Sequence, residues 1–382
     1  MSNRIWLSSP HMSGKEIKYI NQAFEGNYIA PLGPNIDSFE SSISQRLRNN
    51  TELYCAALSS GTAAIHLALR LLDVSAKDVV FVQSFTFCGT TNPVSYQGAE
   101  IIFIDSEIDT WNMCPVSLQM ALDDYKERSV KAIIPVHLYG MPAKMDEITK
   151  LADMYNVPII EDAAEALGSS LNGRFCGTFG LMSALSFNGN KIITTSGGGA
   201  LISSSDEYIN RARFLATQAR DIASHYQHSN IGYNYRMSNI LAGIGCGQLE
   251  VLENRVAQRR ANNQRYREFF KGNTGITFQT EPNTGYFSNY WLTAILIDSR
   301  LTGGITREDV RLALDAANIE SRPLWKPMHM QPIYEGSKFY GNGVCEDLFE
   351  KGLCLPSSSS LEIQDFERIF DVLTKTFMKH DF

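Results

Sequence analysis

At 382 residues the chain is longer than one hydrophobic core usually serves, so two domains are expected. Hydrophobic residues make up 44% and charged residues 20%, the balance of an ordinary globular enzyme. A net charge of −7, with no long block of one sign, excludes a general affinity for nucleic acid or anionic membranes but leaves room for a local basic pocket.

The opening MSNRIWLSSPHMSG has no apolar core for export, and no stretch reaches the length of a membrane span. From about residue 50, short apolar runs alternate with helical patterns. Residues 53–58 read as a strand and 62–72 as a helix with apolar residues at helical spacing. Strands follow at 79–82, 101–105, 132–136 and 157–162, with a helix over 145–155 before the last of them. Strands that are short and almost continuously apolar are those buried on both faces of a mostly parallel sheet. The expected fold class is therefore α/β, with ligands at the carboxyl ends of the strands. Asp105 and Asp162 both end strands at that edge.

Further on, a strand at 200–202 leads to a helix from Asp206, and Ser238 or Asn239 starts a long helical stretch to about Phe270. Residues 272–285 are polar and glycine-bearing, a hinge or surface loop. A strand over 290–297 follows, then a helix capped by Thr306 with Asp309 three residues on, and a closing helix near 361–377. The large domain is placed over residues 1–250, and a smaller C-terminal α/β domain over 251–382. The serines at 357–360 are too short a run to matter. Seven scattered cysteines with no Cys-x-x-Cys pair suggest neither a zinc site nor a disulfide framework, and a cytoplasmic setting is expected.

Ser60-Gly61-Thr62 joins a strand to a helix, where free N–H groups and hydroxyls make a phosphate cradle, although plain helix capping explains the same residues. Phe87, after the second strand, is placed to stack on a flat ring; core packing is the blander reading. Asp162 is an acid in an apolar setting, costly unless it meets a cation such as a protonated pyridine nitrogen. Lys191 stands among small and polar residues just before Gly197-Gly198-Gly199, and a lysine partly withdrawn from water suits Schiff-base chemistry. Ser186, five residues earlier, adds a hydroxyl to the cradle. His137 supports the site rather than acting as a base, and the loose spacing of His225 and His228 argues against a metal.

The cradle, Asp162-Ala163-Ala164-Glu165-Ala166, Ser186-Phe187-Asn188-Gly189-Asn190-Lys191 and Gly232-Tyr233-Asn234-Tyr235-Arg236 stand in this order along the chain. Together they resemble the pyridoxal-phosphate sugar aminotransferases of the DegT/StrS family, from residue 29 to residue 325. The resemblance implies the aspartate aminotransferase fold (fold type I) and pyridoxal 5′-phosphate as cofactor. Lys191 would bond to the cofactor and shuttle the proton, Asp162 would pair with the pyridinium nitrogen, and Glu165 would lie near the ring hydroxyl. Phe87 would stack on the ring, and Ser60, Gly61, Thr62 and Ser186 would hold the phosphate. Asn234 matches an asparagine that reaches the cofactor phosphate of the neighbouring subunit, which implies a homodimer with shared sites.

The family often reads Thr-Thr-Gly-Glu-Gly-Gly after the lysine, whereas this chain has Thr194-Thr195-Ser196-Gly197-Gly198-Gly199. That variant, together with Asn188-Gly189-Asn190 and residues 320–329, resembles the C4 aminotransferases of the N-acetylbacillosamine pathway. The implied reaction moves an amino group from L-glutamate to the C4 ketone of a UDP-linked 4-keto-6-deoxy-N-acetylglucosamine, with Arg322, Trp325 and His329 touching the sugar nucleotide. GDP-perosamine synthases share much of the pattern and are the main rival, alongside enzymes of dTDP-linked sugars. A sugar 3-dehydratase on the same fold carries histidine where Lys191 stands. A sugar-sensing protein without turnover is opposed by the intact set of Lys191, Asp162, Ser186 and Asn234.

Overall fold

The computed structural model describes residues 3–378. Its centre is a sheet in which Lys338–Tyr340, Glu100–Ile104, Val79–Gln83 and Val130–Ile134 lie parallel in that order. Parallel bridges from Ile133 to Ile159 and from Val136 to Asp162 carry it on to Ile160–Asp162. Met182–Ser186 then pairs parallel with Ile160–Asp162, Gly199–Ser203 runs antiparallel to it, and Tyr54–Leu58 closes the edge. One reversed strand in an otherwise parallel sheet is the fold type I arrangement. Val80, Val82 and Phe103 pack on one face with helix Gly61–Leu71, and Phe81, Ile102 and Ile133 on the other with helices Pro115–Asp124 and Met145–Tyr155. Burial on both faces explains the unbroken apolar runs.

The reversed strand matters for the site. Met182–Ser186 ends at the carboxyl edge, and its turn into Gly199–Ser203 keeps residues 187–198 at that edge rather than sending them across the sheet. Tyr54–Leu58 and Ile160–Asp162 end there too, so Ser60, Asp162 and Lys191 converge from three strands.

A second, antiparallel sheet is ordered Ile276–Phe278, Thr293–Ile297, Gly352–Leu355, Arg322–Pro323. Its core includes Val310 and Leu314, Ile369 and Leu373, and Tyr266, from three covering helices. Segments cross between this unit and the large one. Ile5 joins the core of the second sheet and bridges Ile319, while Lys338–Tyr340 extends the first sheet.

Most elements lie where the periodicity places them, and the Thr306–Asp309 capping box is formed. Three expectations need correction. The helical stretch from 239 to 270 is two helices, Asn239–Leu249 and Leu252–Phe269, parted at Glu250 and Val251. The first packs on helices Glu16–Glu25 and Pro34–Leu47, whereas the second lines the same core through Leu252 and Val256 and reaches the other core through Tyr266. The expected loop at 272–285 contains strand Ile276–Phe278. The serine run is also structural. Ser357, Ser358 and Ser359 are buried, and they bond to the Thr293 amide, Ser9 and His11 respectively.

Candidate active site

Ser60 has extended backbone, and its hydroxyl accepts the Ala63 N–H at 3.0 Å, so the capping function is realised. The amides of Gly61 and Thr62 remain in the first turn, whose N–H groups have no partner within a helix. Gly61 abuts Ser186: a Cβ on it would lie 3.2 Å from the serine Cβ. Gly199 presses on the same turn, where an added Cβ would meet the Ser60 carbonyl carbon at 2.3 Å. Strand, helix start and Ser186 are therefore packed into one anion-seeking corner.

Asp162 is buried at the end of its strand. The Thr90 hydroxyl donates to it at 2.6 Å and the Ala164 amide at 3.1 Å. Thr86 stands 2.6 Å behind Thr90; because the Thr90 proton goes to Asp162, Thr86 donates to the Thr90 oxygen. Among the described residues no lysine, arginine or histidine pairs with Asp162. A buried carboxylate without a cation is costly, and a protonated ring nitrogen is the partner it lacks. Asp105, the other strand-ending acid, is used up structurally. Its carboxylate accepts the amides of Asn342, Gly343, Val344 and Cys345 and so ties down the start of helix Val344–Lys351.

The Lys191 Nζ lies 3.3 Å from Glu165 Oε1 and 4.1 Å from the centre of the Trp291 ring. Glu165 also accepts the Tyr139 amide at 2.7 Å. Burial pushes the Glu165 carboxyl up to about 7, against the pull of Lys191 and the Tyr139 amide and with help from the Asp162 charge. Tyr139 holds a left-handed backbone (φ 55°), a sparsely populated conformation for a bulky residue, and its hydroxyl accepts the Trp325 amide at 3.0 Å. The Trp325 ring sits 5.1 Å from Tyr139 and 5.5 Å from Phe87. Phe87 is 57% exposed, a large ring left open at the mouth of the site.

The structure thus gathers Ser60, Gly61, Thr62 and Ser186 at one corner, and Lys191 with Glu165 close by. Asn234 is exposed, and among the described residues its side chain bonds to none of these. Arg322 is exposed and pairs with Glu320 at 2.8 Å. His329 is held by Ser84 at 2.7 Å and Glu346 at 3.1 Å and stacks on Phe339. His137 is fully buried: Nδ1 accepts the Ala143 amide and Nε2 faces Glu161 at 2.9 Å, a supporting role. Sequence reasoning missed Thr86, Thr90, Tyr139 and Trp291, whose one signal was a polar or aromatic residue beside a strand end. Ser196 adopts φ +71°.

An unpaired buried acid, an open first turn beside two serines, a lysine with a single counter-charge and an exposed aromatic ring fit pyridoxal phosphate. The sequence profile of the DegT/DnrJ/EryC1/StrS aminotransferase family matches residues 10–374. EpsN of Bacillus subtilis (strain 168), named as a pyridoxal phosphate-dependent aminotransferase, is 51% identical over 99% of this chain and 97% of its own. A GDP-perosamine synthase of Escherichia coli O157:H7 is 36% identical over 92% of this chain and 93% of its own. The crystal structure of a family aminotransferase from Brucella abortus, 29% identical, superposes with a TM-score of 0.86 over 96% of both chains. The chain belongs to the DegT/DnrJ/EryC1/StrS aminotransferase family and is an aminotransferase that works with pyridoxal phosphate.

Proposed function

We propose that this enzyme transfers the amino group of L-glutamate to the C4 ketone of a nucleotide-linked 4-keto-6-deoxy sugar. The observation that carries this is the Lys191–Asp162–Ser60 constellation in a chain 36% identical, over 92% of its length, to a GDP-perosamine synthase. For the nucleotide, the Ser196–Gly199 variant and residues 320–329 support UDP-2-acetamido-2,6-dideoxy-4-keto-glucose, giving the 4-amino sugar; the named relative supports the GDP-linked alternative.

Pyridoxal phosphate, when bound, supplies an amino-group carrier and an electron sink. The rest falls to the chain. Ser60, Gly61, Thr62 and Ser186 would bind the phosphate, Asp162 would hold a proton at the ring nitrogen, Phe87 would cover a ring face, and Glu165 would lie near the ring hydroxyl. Lys191 Nζ would be the covalent attachment point and, when free, would move a proton as a positioned general acid–base. Glu165 Oε1 accepts a hydrogen bond from that nitrogen at 3.3 Å. Trp325, beside Phe87, would contact the sugar nucleotide, as would Arg322 and His329. Asn234, exposed in a single chain, would complete the site of a second copy in a homodimer. The seven unpaired cysteines support a cytoplasmic setting.

The deciding experiment incubates enzyme and glutamate with UDP- and GDP-linked 4-keto-6-deoxy sugars in parallel and identifies products by NMR. Turnover of the UDP compound at least about tenfold faster than the GDP compound is expected. Amination of neither sinks the reading, and preference for the GDP compound transfers it to the alternative.

A further inference from the structure

Arg259, on helix Leu252–Phe269, is fully buried, and among the described residues no carboxylate pairs with it. Burial, with the charge of Arg255 added, pulls its guanidinium down to about 9, and its Nε has no partner. So exposed an energetic position needs neutral oxygens to take its N–H groups. Two do. Nη1 donates to the Trp291 carbonyl, and Nη2 donates to the Ser8 hydroxyl at 2.9 Å.

Both contacts lead to one atom. Ser8, having accepted from Arg259, donates its own proton to the Asn190 carbonyl at 2.6 Å. The Trp291 indole N–H donates to that same carbonyl, also at 2.6 Å. Asn190 directly precedes Lys191, whose Nζ sits over the Trp291 ring. A ring of hydrogen bonds, drawn from residues 8, 190, 259 and 291, thus closes around the peptide that carries the lysine. Tyr290, directly before Trp291, holds a left-handed backbone (φ 45°) ahead of strand Thr293–Ile297.

We propose that Arg259 and Trp291 are positioning residues for Lys191: Trp291 holds the Asn190 carbonyl directly and Arg259 holds it through Ser8, and together they aim the lysine nitrogen at the aldehyde carbon of the incoming cofactor. In that step Nζ attacks the aldehyde carbon, a C=N bond forms, and the aldehyde oxygen leaves as water with the two protons of the amine. The phosphate cradle and Asp162 are untouched by the clamp, so it governs covalent capture and not the non-covalent hold on the cofactor. This inference concerns the cofactor alone and is independent of which sugar the enzyme aminates.

The test uses the full-length enzyme stripped of cofactor, with Arg259→Met (similar volume, no donors) and Trp291→Phe (aromatic face kept, indole N–H lost). The rate of covalent capture of pyridoxal phosphate is followed by stopped-flow absorbance. Affinity for pyridoxamine phosphate, which forms no bond to lysine, is measured by fluorescence quenching. Capture is expected to slow about tenfold in both variants, with pyridoxamine phosphate affinity within about twofold of the parent. Ser8→Ala, which keeps the indole leg, is expected to slow capture about threefold. Capture within twofold of the parent in both Arg259→Met and Trp291→Phe overturns the proposal, and so does a loss of pyridoxamine phosphate affinity that matches the loss of capture. Should Arg259→Met fail to fold, Ser8→Ala and Trp291→Phe decide alone, with unchanged capture in both overturning it.

Discussion

Replacing Lys191 with alanine removes the amine held by Glu165 and Trp291 and leaves the phosphate corner intact. Amino transfer from glutamate should fall by at least about a thousandfold, while pyridoxamine phosphate still binds; a residual rate above a hundredth of the parent would refute the role. Glu165 offers a pH test. Its carboxyl titrates near 7 in the folded chain, against an ordinary value of 4.5. Between those limits the folded state keeps the proton that the unfolded chain gives up. Stability therefore declines as pH rises from 4.5 to about 7 and is level above it. Glu165→Gln removes this slope. The variant should gain roughly 3 kcal/mol relative to the parent between pH 4 and pH 8, read by urea unfolding of the cofactor-free proteins. A constant difference across that range would show that Glu165 is not held protonated.

Strand ends and helix starts do the assembling, and their tolerance is narrow. The Gly199–Ser203 strand lies so close to the Ser60 turn that a methyl group at residue 199 would fall 2.3 Å from a backbone carbon. Gly199→Ala should cost about 1–3 kcal/mol by overpacking and weaken pyridoxamine phosphate binding, whereas an alanine at the unconfined Gly197 should leave binding unchanged. Calorimetry on the two variants separates them, and equal affinities would mean that the turn adjusts. Elements of this kind were legible from residue pattern: the apolar strands, the helix over 145–155 and the Thr306 cap lie where periodicity and capping chemistry place them. The break at Glu250 and Val251 was not. The helical pattern runs through it, so the residues on either side carry no sign that one helix ends and another begins.

At the scale of the whole molecule, the proposed reach of the exposed Asn234 into the site of a second copy frames a test of shared sites. Lys191→Ala and Asn234→Ala subunits, each inactive alone, should recover roughly a quarter of parental activity when mixed and reassembled, because one site in each mixed dimer regains both residues. No recovery after proven subunit exchange would place Asn234 in the site of its own chain or outside any site. Sequence by itself determined the α/β fold class and the succession of strands and helices along the chain, since these depend on local pattern; Lys191, Asp162 and Ser60 stood out by motif, and Glu165 through the family resemblance, as the proposed chemical core. Tertiary structure alone decided that Asp105 holds a helix while Asp162 lacks a cation, that Thr90 and Thr86 back the acid, and that Ser8, Arg259 and Trp291 grip the lysine peptide. Most of these roles are set by contacts between residues from separate elements, many of them a hundred or more positions apart. A residue's own neighbours along the chain carry no trace of which distant donor or charge it will meet.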